Sequence, residues 1–200
     1  MKSNCTVGIT GGIGSGKSYI CKILENMGYP VFYSDQVSKS LLASDPKIIH
    51  KIKSTLGALA YKKDGSVDKS YIANQIFSNA DQLEAVNQII HPAVRKEFQD
   101  FTSSKSSPII FNESAILFET GGYDQFDKTI LVTAPHSVRV KRVLSRDGIT
   151  AKQVENRIKN QWTDEEKVPL ADFIIRNGEN DMLLPQIDRI ISAILKLPTT

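Results

Sequence analysis

Cysteine is scarce in this chain. Of 200 residues only Cys5 and Cys21 carry a thiol. They form no C-x-x-C pair, so neither a disulfide framework nor a zinc site is suggested. An excess of one charge is missing too: 25 Lys and Arg stand against 22 Asp and Glu, a net charge of +3. That balance implies neither a nucleic-acid coat nor a membrane surface, so no nucleic acid and no membrane is expected as a partner. No apolar run approaches the ~20 residues that would cross a bilayer. The N-terminus has one Lys but no signal-peptide core or cleavage site, and a cytoplasmic setting is expected. Internal repeats and long low-complexity segments are absent. The length suits one domain, or one domain with an inserted lobe.

Against these absences stands one dense stretch, Gly11-Gly12-Ile13-Gly14-Ser15-Gly16-Lys17-Ser18. It fits the phosphate-binding pattern G-x-x-x-x-G-K-[ST] without a mismatch. Upstream, Thr6-Val7-Gly8-Ile9-Thr10 reads as a buried strand; downstream, Tyr19 to Leu24 has apolar residues at helical spacing. Strand, glycine loop and helix is the order the motif needs. Glycines let the backbone N–H groups curl around a polyanion, and the helix N-terminus adds unpaired donors and a positive dipole end. Lys17 is expected to reach the β- and γ-phosphates of ATP and Ser18 to ligate Mg²⁺, with Gly12, Ile13, Gly14, Ser15 and Gly16 lining the cradle.

The rest of the chain supplies a sheet and an insert. Tyr29–Tyr33 reads as a second strand, ending at Ser34-Asp35. Ligands of doubly wound folds sit beyond the carboxyl ends of the strands, so Asp35 is a carboxylate on the phosphate-loop rim. It also suits the N-cap of a helix starting near Gln36. Residues 36–105 read as helical, with caps expected at Asp45, Asp68 and Asp81 and a break at His91-Pro92. On the residues alone His91 is a packing or local hydrogen-bonding side chain. Ile109–Asn112 is a third strand with Glu113 at its end, either the acid a phosphate-loop enzyme commonly keeps near Mg²⁺ or a solvated surface carboxylate. Thr129–Thr133 and Ala171–Ile175 complete five strands, and a last helix spans about Asp181 to Leu195. Cys21 reads as a small buried apolar residue on the first helix.

Between the last two strands lies a basic stretch. Arg139, Arg142 and Arg146 share one helix face by 3–4 spacing; Thr150 and Gln153 form a capping box for a helix carrying Arg157, Lys159, Gln161 and Trp162. Such a stretch near a phosphate loop reads as a lid. The expectation is a three-layer α/β fold of the P-loop NTPase class, with a five-stranded parallel sheet. Its core is 1–35, 106–141 and 168–200, its helical acceptor-binding insert 36–105 and its lid 142–167.

Finer features carry a family resemblance. Thr10 through Ser18, His91-Pro92, Leu117-Phe118-Glu119, Lys141-Arg142, Arg146-Asp147, the spacing from Arg157 to Gln161, and Leu170–Ile175 with Asn177-Gly178 together resemble the dephospho-CoA kinases. The resemblance covers nearly the whole chain. It implies ATP-dependent phosphorylation of the ribose 3′-hydroxyl of dephospho-CoA, the last step of coenzyme A synthesis. It implies Asp35 as general base, His91, Phe118 and Glu119 at the acceptor, Arg142 and Arg146 in the lid, and Asn177 near the adenine. Two positions depart from the family pattern: Tyr33 replaces the first acid of a D-x-D pair, and Glu113 stands where the family has Asp. A nucleoside or nucleoside-monophosphate kinase shares the architecture. A GTPase switch is disfavoured, because N-K-x-D and D-x-x-G are both missing. Monomer or weak homo-oligomer is the expected state.

Overall fold

The computed structural model describes residues 4–197. Residues 1–3 and 198–200, placed in the core above, lie outside the described residues. Within them the chain divides into two compact units, one of residues up to Tyr33 and from Lys105 onward, the other Ser34–Ser104.

The first unit is built on five parallel strands: β1 Cys5–Thr10, β2 Val31–Tyr33, β3 Ile109–Glu113, β4 Lys128–Thr133 and β5 Phe173–Arg176. Their order is β2-β3-β1-β4-β5, the expected all-parallel five-stranded α/β sheet. Parallel strands covered by helices are buried on both faces, and β1, β3 and β4 are accordingly near-continuous apolar runs. Side chains alternate between the faces. Val7 and Ile9 of β1 join Phe111, Ile130 and Ile175 in one core with Ile20, Cys21 and Leu24 of α1 (Lys17–Asn26). The same core takes Ile187, Ile190, Ile191 and Ile194 of α9, which spans Leu183–Leu195. Burying each such Ile or Leu contributes about 1.5–3 kcal/mol. On the opposite face Leu117 and Phe126 close over Gly8, where a Cβ would lie 2.6 Å from the Leu117 side chain.

Register sets the functional rim. Tyr33 lies beside Glu113, and Glu113 beside Ile9, so the ends of β2, β3 and β1 stand level. At the base, Asp172 fixes β4 against β5. Its carboxylate accepts from Thr129 N at 2.8 Å and Thr129 Oγ1 at 3.0 Å, and pairs with Lys128 Nζ at 2.8 Å. At the edge, the side-chain amide of Gln186 accepts from Arg176 N at 2.9 Å and donates to Arg176 O at 3.0 Å, filling one rung of β5. Three further helices of this unit are α6 His136–Asp147, α7 Ala151–Lys159 and α8 Asp164–Lys167. Capping boxes start the last two, at Thr150 and Thr163.

The second unit is helical: α2 Ser34–Ser44, α3 Pro46–Leu56, α4 Lys69–Ser78 and α5 Ala80–Ser103. Its own core holds Ile48, Ile52, Leu56, Ile72, Val86 and Ile90. Asp45 and Asp68 cap α3 and α4 as expected. Three expectations are corrected. Asp35 is not an N-cap, because α2 begins directly at Ser34 and places Asp35 in its first turn, where a carboxylate still favours the helix dipole. Asn79, not Asp81, caps α5, accepting from Asp81 N at 2.9 Å and Gln82 N at 3.1 Å. And Pro92 does not break α5. It removes one backbone donor, but Ile89 and Ile90 before it and Ala93 and Val94 after it pack on the same core and hold the helix through.

Candidate active site

The phosphate loop joins β1 to α1, and its shape is set by its own wall as well as by its glycines. Gly14 and Gly16 have φ of 78° and 97°, the left-handed region that glycine tolerates. A Cβ at Gly14 would lie 2.5 Å from the Arg139 carbonyl oxygen, and one at Gly16 would overlap the Asn177 amide nitrogen. Gly16 also supplies the N-cap position of α1, so Lys17 and Ser18 form the first turn, whose N–H groups have no intrahelical acceptor. The glycines are therefore required on the protein side as well as the ligand side.

Lys17 is buried, and its ammonium donates to Gly11 O at 2.7 Å, folded back across its own loop. Ser18 is exposed. Ser15 Oγ and Thr10 Oγ1 are buried with no hydrogen-bond partner. Glu113 is buried at the end of β3. It and Lys17 both bear on the Cys21 thiol, in opposite senses; burial comes first and pushes that thiol far above its ordinary range, so Cys21 stays a protonated core side chain. Burial, with Cys21 and a hydrogen bond to Glu25, likewise pushes the Tyr33 phenol up. Tyr33 is a neutral group tied to α1 and offers no carboxylate.

Three side chains brace the loop from α6 and from the turn after β5. Arg139 is buried and donates through Nε to Ile13 O at 3.0 Å. Arg142 donates to Ser15 O at 3.3 Å and Gly14 O at 3.4 Å. Asn177 is buried; its Nδ2 donates to Ser15 O at 2.8 Å and its Oδ1 accepts from Arg142 at 3.4 Å. The Asn177 carboxamide is thus already committed to the loop. Arg146 is exposed and turned to Asp147, at 2.6 Å, which also holds Arg157 at 2.7 Å. Its guanidinium lies on the rim of a cavity of about 420 Å³ that Lys141, Arg142 and Glu179 also line.

A buried ionic chain runs behind this wall. Lys167 is fully buried and pairs with Glu119 at 2.7 Å. Asp164 stands 3.6 Å from Arg139; burial pushes its carboxyl up, against the pull of Arg139 and Lys167. Glu119 also accepts from Trp162 N at 3.3 Å. Phe118 is 1% exposed, its ring edge-on to Tyr123 at 5.5 Å, so it presents no free face. The pair expected at the acceptor is therefore occupied here by packing and by an ion pair.

Asp35 and His91 belong to the helical unit. Asp35 follows the end of β2 by two residues. His91 is half-buried on α5; burial, then Arg95, lowers its pKa, which keeps the imidazole neutral at pH 7.

The profile of the dephospho-CoA kinase family matches residues 5–182. The chain belongs to that family. A dephospho-CoA kinase of Bacteroides fragilis is 41% identical over 187 residues, 93% of this chain and 91% of that protein. The crystal structure of a Thermus thermophilus protein superposes with a TM-score of 0.83 at 30% identity, covering 100% of both chains. A dephospho-CoA kinase from Campylobacter jejuni superposes with a TM-score of 0.66 at 25% identity, covering 96% of this chain and 97% of that one. As a member of the dephospho-CoA kinase family the chain is a phosphotransferase that uses ATP. By sequence Arg139 only shares a basic helix face with Arg142 and Arg146, and Asp164 and Lys167 fall within the lid with no role of their own. A charge on a short helix reads as solvated, and only the buried partners show otherwise.

Proposed function

We propose that the chain transfers the γ-phosphoryl group of ATP to the 3′-hydroxyl of the ribose of dephospho-CoA, giving coenzyme A and ADP. The observation that carries this is a phosphate loop held in its binding shape by Arg139, Arg142 and Asn177, in a chain matched along its length by dephospho-CoA kinases. Lys17 leaves Gly11 O and takes the β- and γ-phosphates, a charge-assisted bond replacing a neutral one. Arg142 and Arg146 neutralise charge on the moving phosphoryl, and the cavity they line accepts the nucleoside end of ATP. With its carboxamide spent on the loop, Asn177 serves the nucleotide as a brace. Asp35 accepts the hydroxyl proton and His91 contributes a neutral ring to the acceptor lobe, residues 36–105. Phe118 and Glu119 shape the acceptor side from behind, Glu119 through Lys167. Residues 142–167 act as the lid. The chain works in the cytoplasm as a monomer or weak homo-oligomer.

The donors present suit Mg²⁺. Among the described residues no three His, Cys, Asp or Glu cluster as metal ligands. What the site offers is hard oxygen in small number, the exposed Ser18 hydroxyl and the Glu113 carboxylate, and Mg²⁺ keeps most of its shell as water and phosphate. Mg²⁺ held there would offset charge on the β- and γ-phosphates.

The test is a coupled ADP-release assay with ATP and Mg²⁺, comparing dephospho-CoA, AMP and deoxynucleosides, with mass analysis of the product. Gain of one phosphoryl on dephospho-CoA, mapped to the 3′ position, is expected. Turnover of AMP or a nucleoside instead would refute the acceptor and leave the phosphate chemistry standing.

A further inference from the structure

One residue of the phosphate loop has both backbone groups taken by side chains from distant elements. Ile13 O accepts from Arg139 Nε of α6 at 3.0 Å. Ile13 N donates to Gln161 Oε1, just past α7, at 2.7 Å across 148 residues of sequence. The other end of the Gln161 carboxamide donates to Ala115 O, in the turn after β3, at 3.4 Å. Gln161 is half-buried, and α7 is capped by Asn160, so its side chain is not needed to finish the helix. A side chain that merely decorated the surface would hold neither bond.

The loop explains why this matters. Its N–H groups form the anion nest, and the direction of each is set by the peptide planes beside it. Two bonds, one to each side of Ile13, fix the Gly12–Ile13 and Ile13–Gly14 peptide planes. We infer that Gln161 is a positioning residue for phosphoryl transfer: acting through Ile13, it sets the shape of the triphosphate nest and ties that shape to α7. The ligand chemistry is the polyphosphate of a nucleoside triphosphate. The inference rests on the phosphoryl-transfer reading above, and goes beyond it by giving a role to a residue which that reading leaves idle. Displacement of α7 then pulls on the nest, so lid position and loop shape are one variable. Positioning errors of this kind cost rate steeply: a misplacement of about 1 Å can cost on the order of 100-fold.

The experiment uses the full chain, ¹⁵N-labelled, with the variants Gln161→Leu and Gln161→Glu. Leucine keeps the bulk and loses the acceptor; glutamate keeps the acceptor. In the nucleotide-free parent, the Ile13 amide should exchange at least ~10-fold more slowly than the Gly12 and Gly14 amides, as a bonded N–H does. Gln161→Leu should release that amide and lower kcat at least ~10-fold, with KM for dephospho-CoA within about 2-fold and Tm little changed. Gln161→Glu should keep the amide protected. Fast exchange at Ile13 in the parent overturns the inference even if no variant folds. So does release of the amide with kcat unchanged, or a kcat loss explained by a fall in Tm. Failure of the parent to phosphorylate dephospho-CoA refutes the acceptor reading instead, because the exchange measurement needs no acceptor.

Discussion

Replacing Lys167 by Met tests whether the wall behind the phosphate loop is held by charge. Lys167 is fully buried and Glu119 is 13% exposed, with 2.7 Å between ammonium and carboxylate. The ammonium has no access to water in place, and the carboxylate has little. Removing one partner strands the other, and broken buried pairs cost about 3–5 kcal/mol. The hydrogen bond from Trp162 N to Glu119 offsets only part of this, because the second carboxylate oxygen is buried without a partner. Against a total stability of about 5–15 kcal/mol, that is a large fraction. With a urea slope of about 2–3 kcal/mol/M, the midpoint should fall by about 1–2 M. The double variant Lys167→Met/Glu119→Gln removes both charges and should recover at least half of the loss. Because the chain has two compact units, the assay is urea unfolding followed by two probes, Trp162 fluorescence for the first unit and far-UV circular dichroism for the whole. A single-variant cost under about 1 kcal/mol, or a double variant as damaged as the two singles summed, would refute the reasoning.

Three other outcomes follow from the site and the sheet. Asp35→Asn should leave ATP binding nearly intact and cut turnover at least ~100-fold, measured by ADP release; unchanged turnover reduces Asp35 to a first-turn helix residue. Lys17→Ala should weaken nucleotide binding and rate together, read by calorimetric titration with ATP and by kcat, and parent-like values would sink the phosphate-loop assignment. The third concerns acid. Burial raises the Asp172 carboxyl, but Lys128 and the N–H and hydroxyl of Thr129 outweigh it and hold the group below its ordinary value of 3.8. The stabilisation is therefore present above that value and fades as pH falls through the folded one. Asp172→Asn should flatten the stability curve between pH ~5 and ~3 relative to the parent, and parallel curves would count against the clasp.

What could be read in advance was local. Five strands announced themselves as β-branched and apolar runs, and the phosphate loop as eight contiguous residues, because both signals are complete within a short window. Pro92 misled because the rule it obeys is local while the packing that overrides it is tertiary: Ile90 and Val94 belong to one core. Asn79 and Asp81 are both good caps two residues apart, and nothing short of the hydrogen bonds chooses between them. The site divides the same way. Lys17 is legible from the phosphate-loop motif, whereas Asn177 enters only through the family resemblance, near the adenine, and its bonds to the loop are not legible in the sequence. Arg139, Gln161 and Lys167 take their meaning from Ile13, Asp164 and Glu119, and Gln161 lies 148 positions beyond Ile13.

The Gln186 amide has a meaning for the sheet as a whole. β5 is the last strand, and its outer backbone would otherwise offer a free template to any extended chain. Gln186 presents one acceptor and one donor to Arg176 at the spacing a neighbouring peptide would use. A carboxamide is a peptide group on a tether, so the helix that covers the core also ends the sheet. The neighbouring Ile174 is 38% exposed, which would make an open rung there adhesive. Growth of the sheet into a second molecule is thereby denied at the Arg176 rung, two residues from that exposed apolar side chain, by one side chain that belongs to no strand.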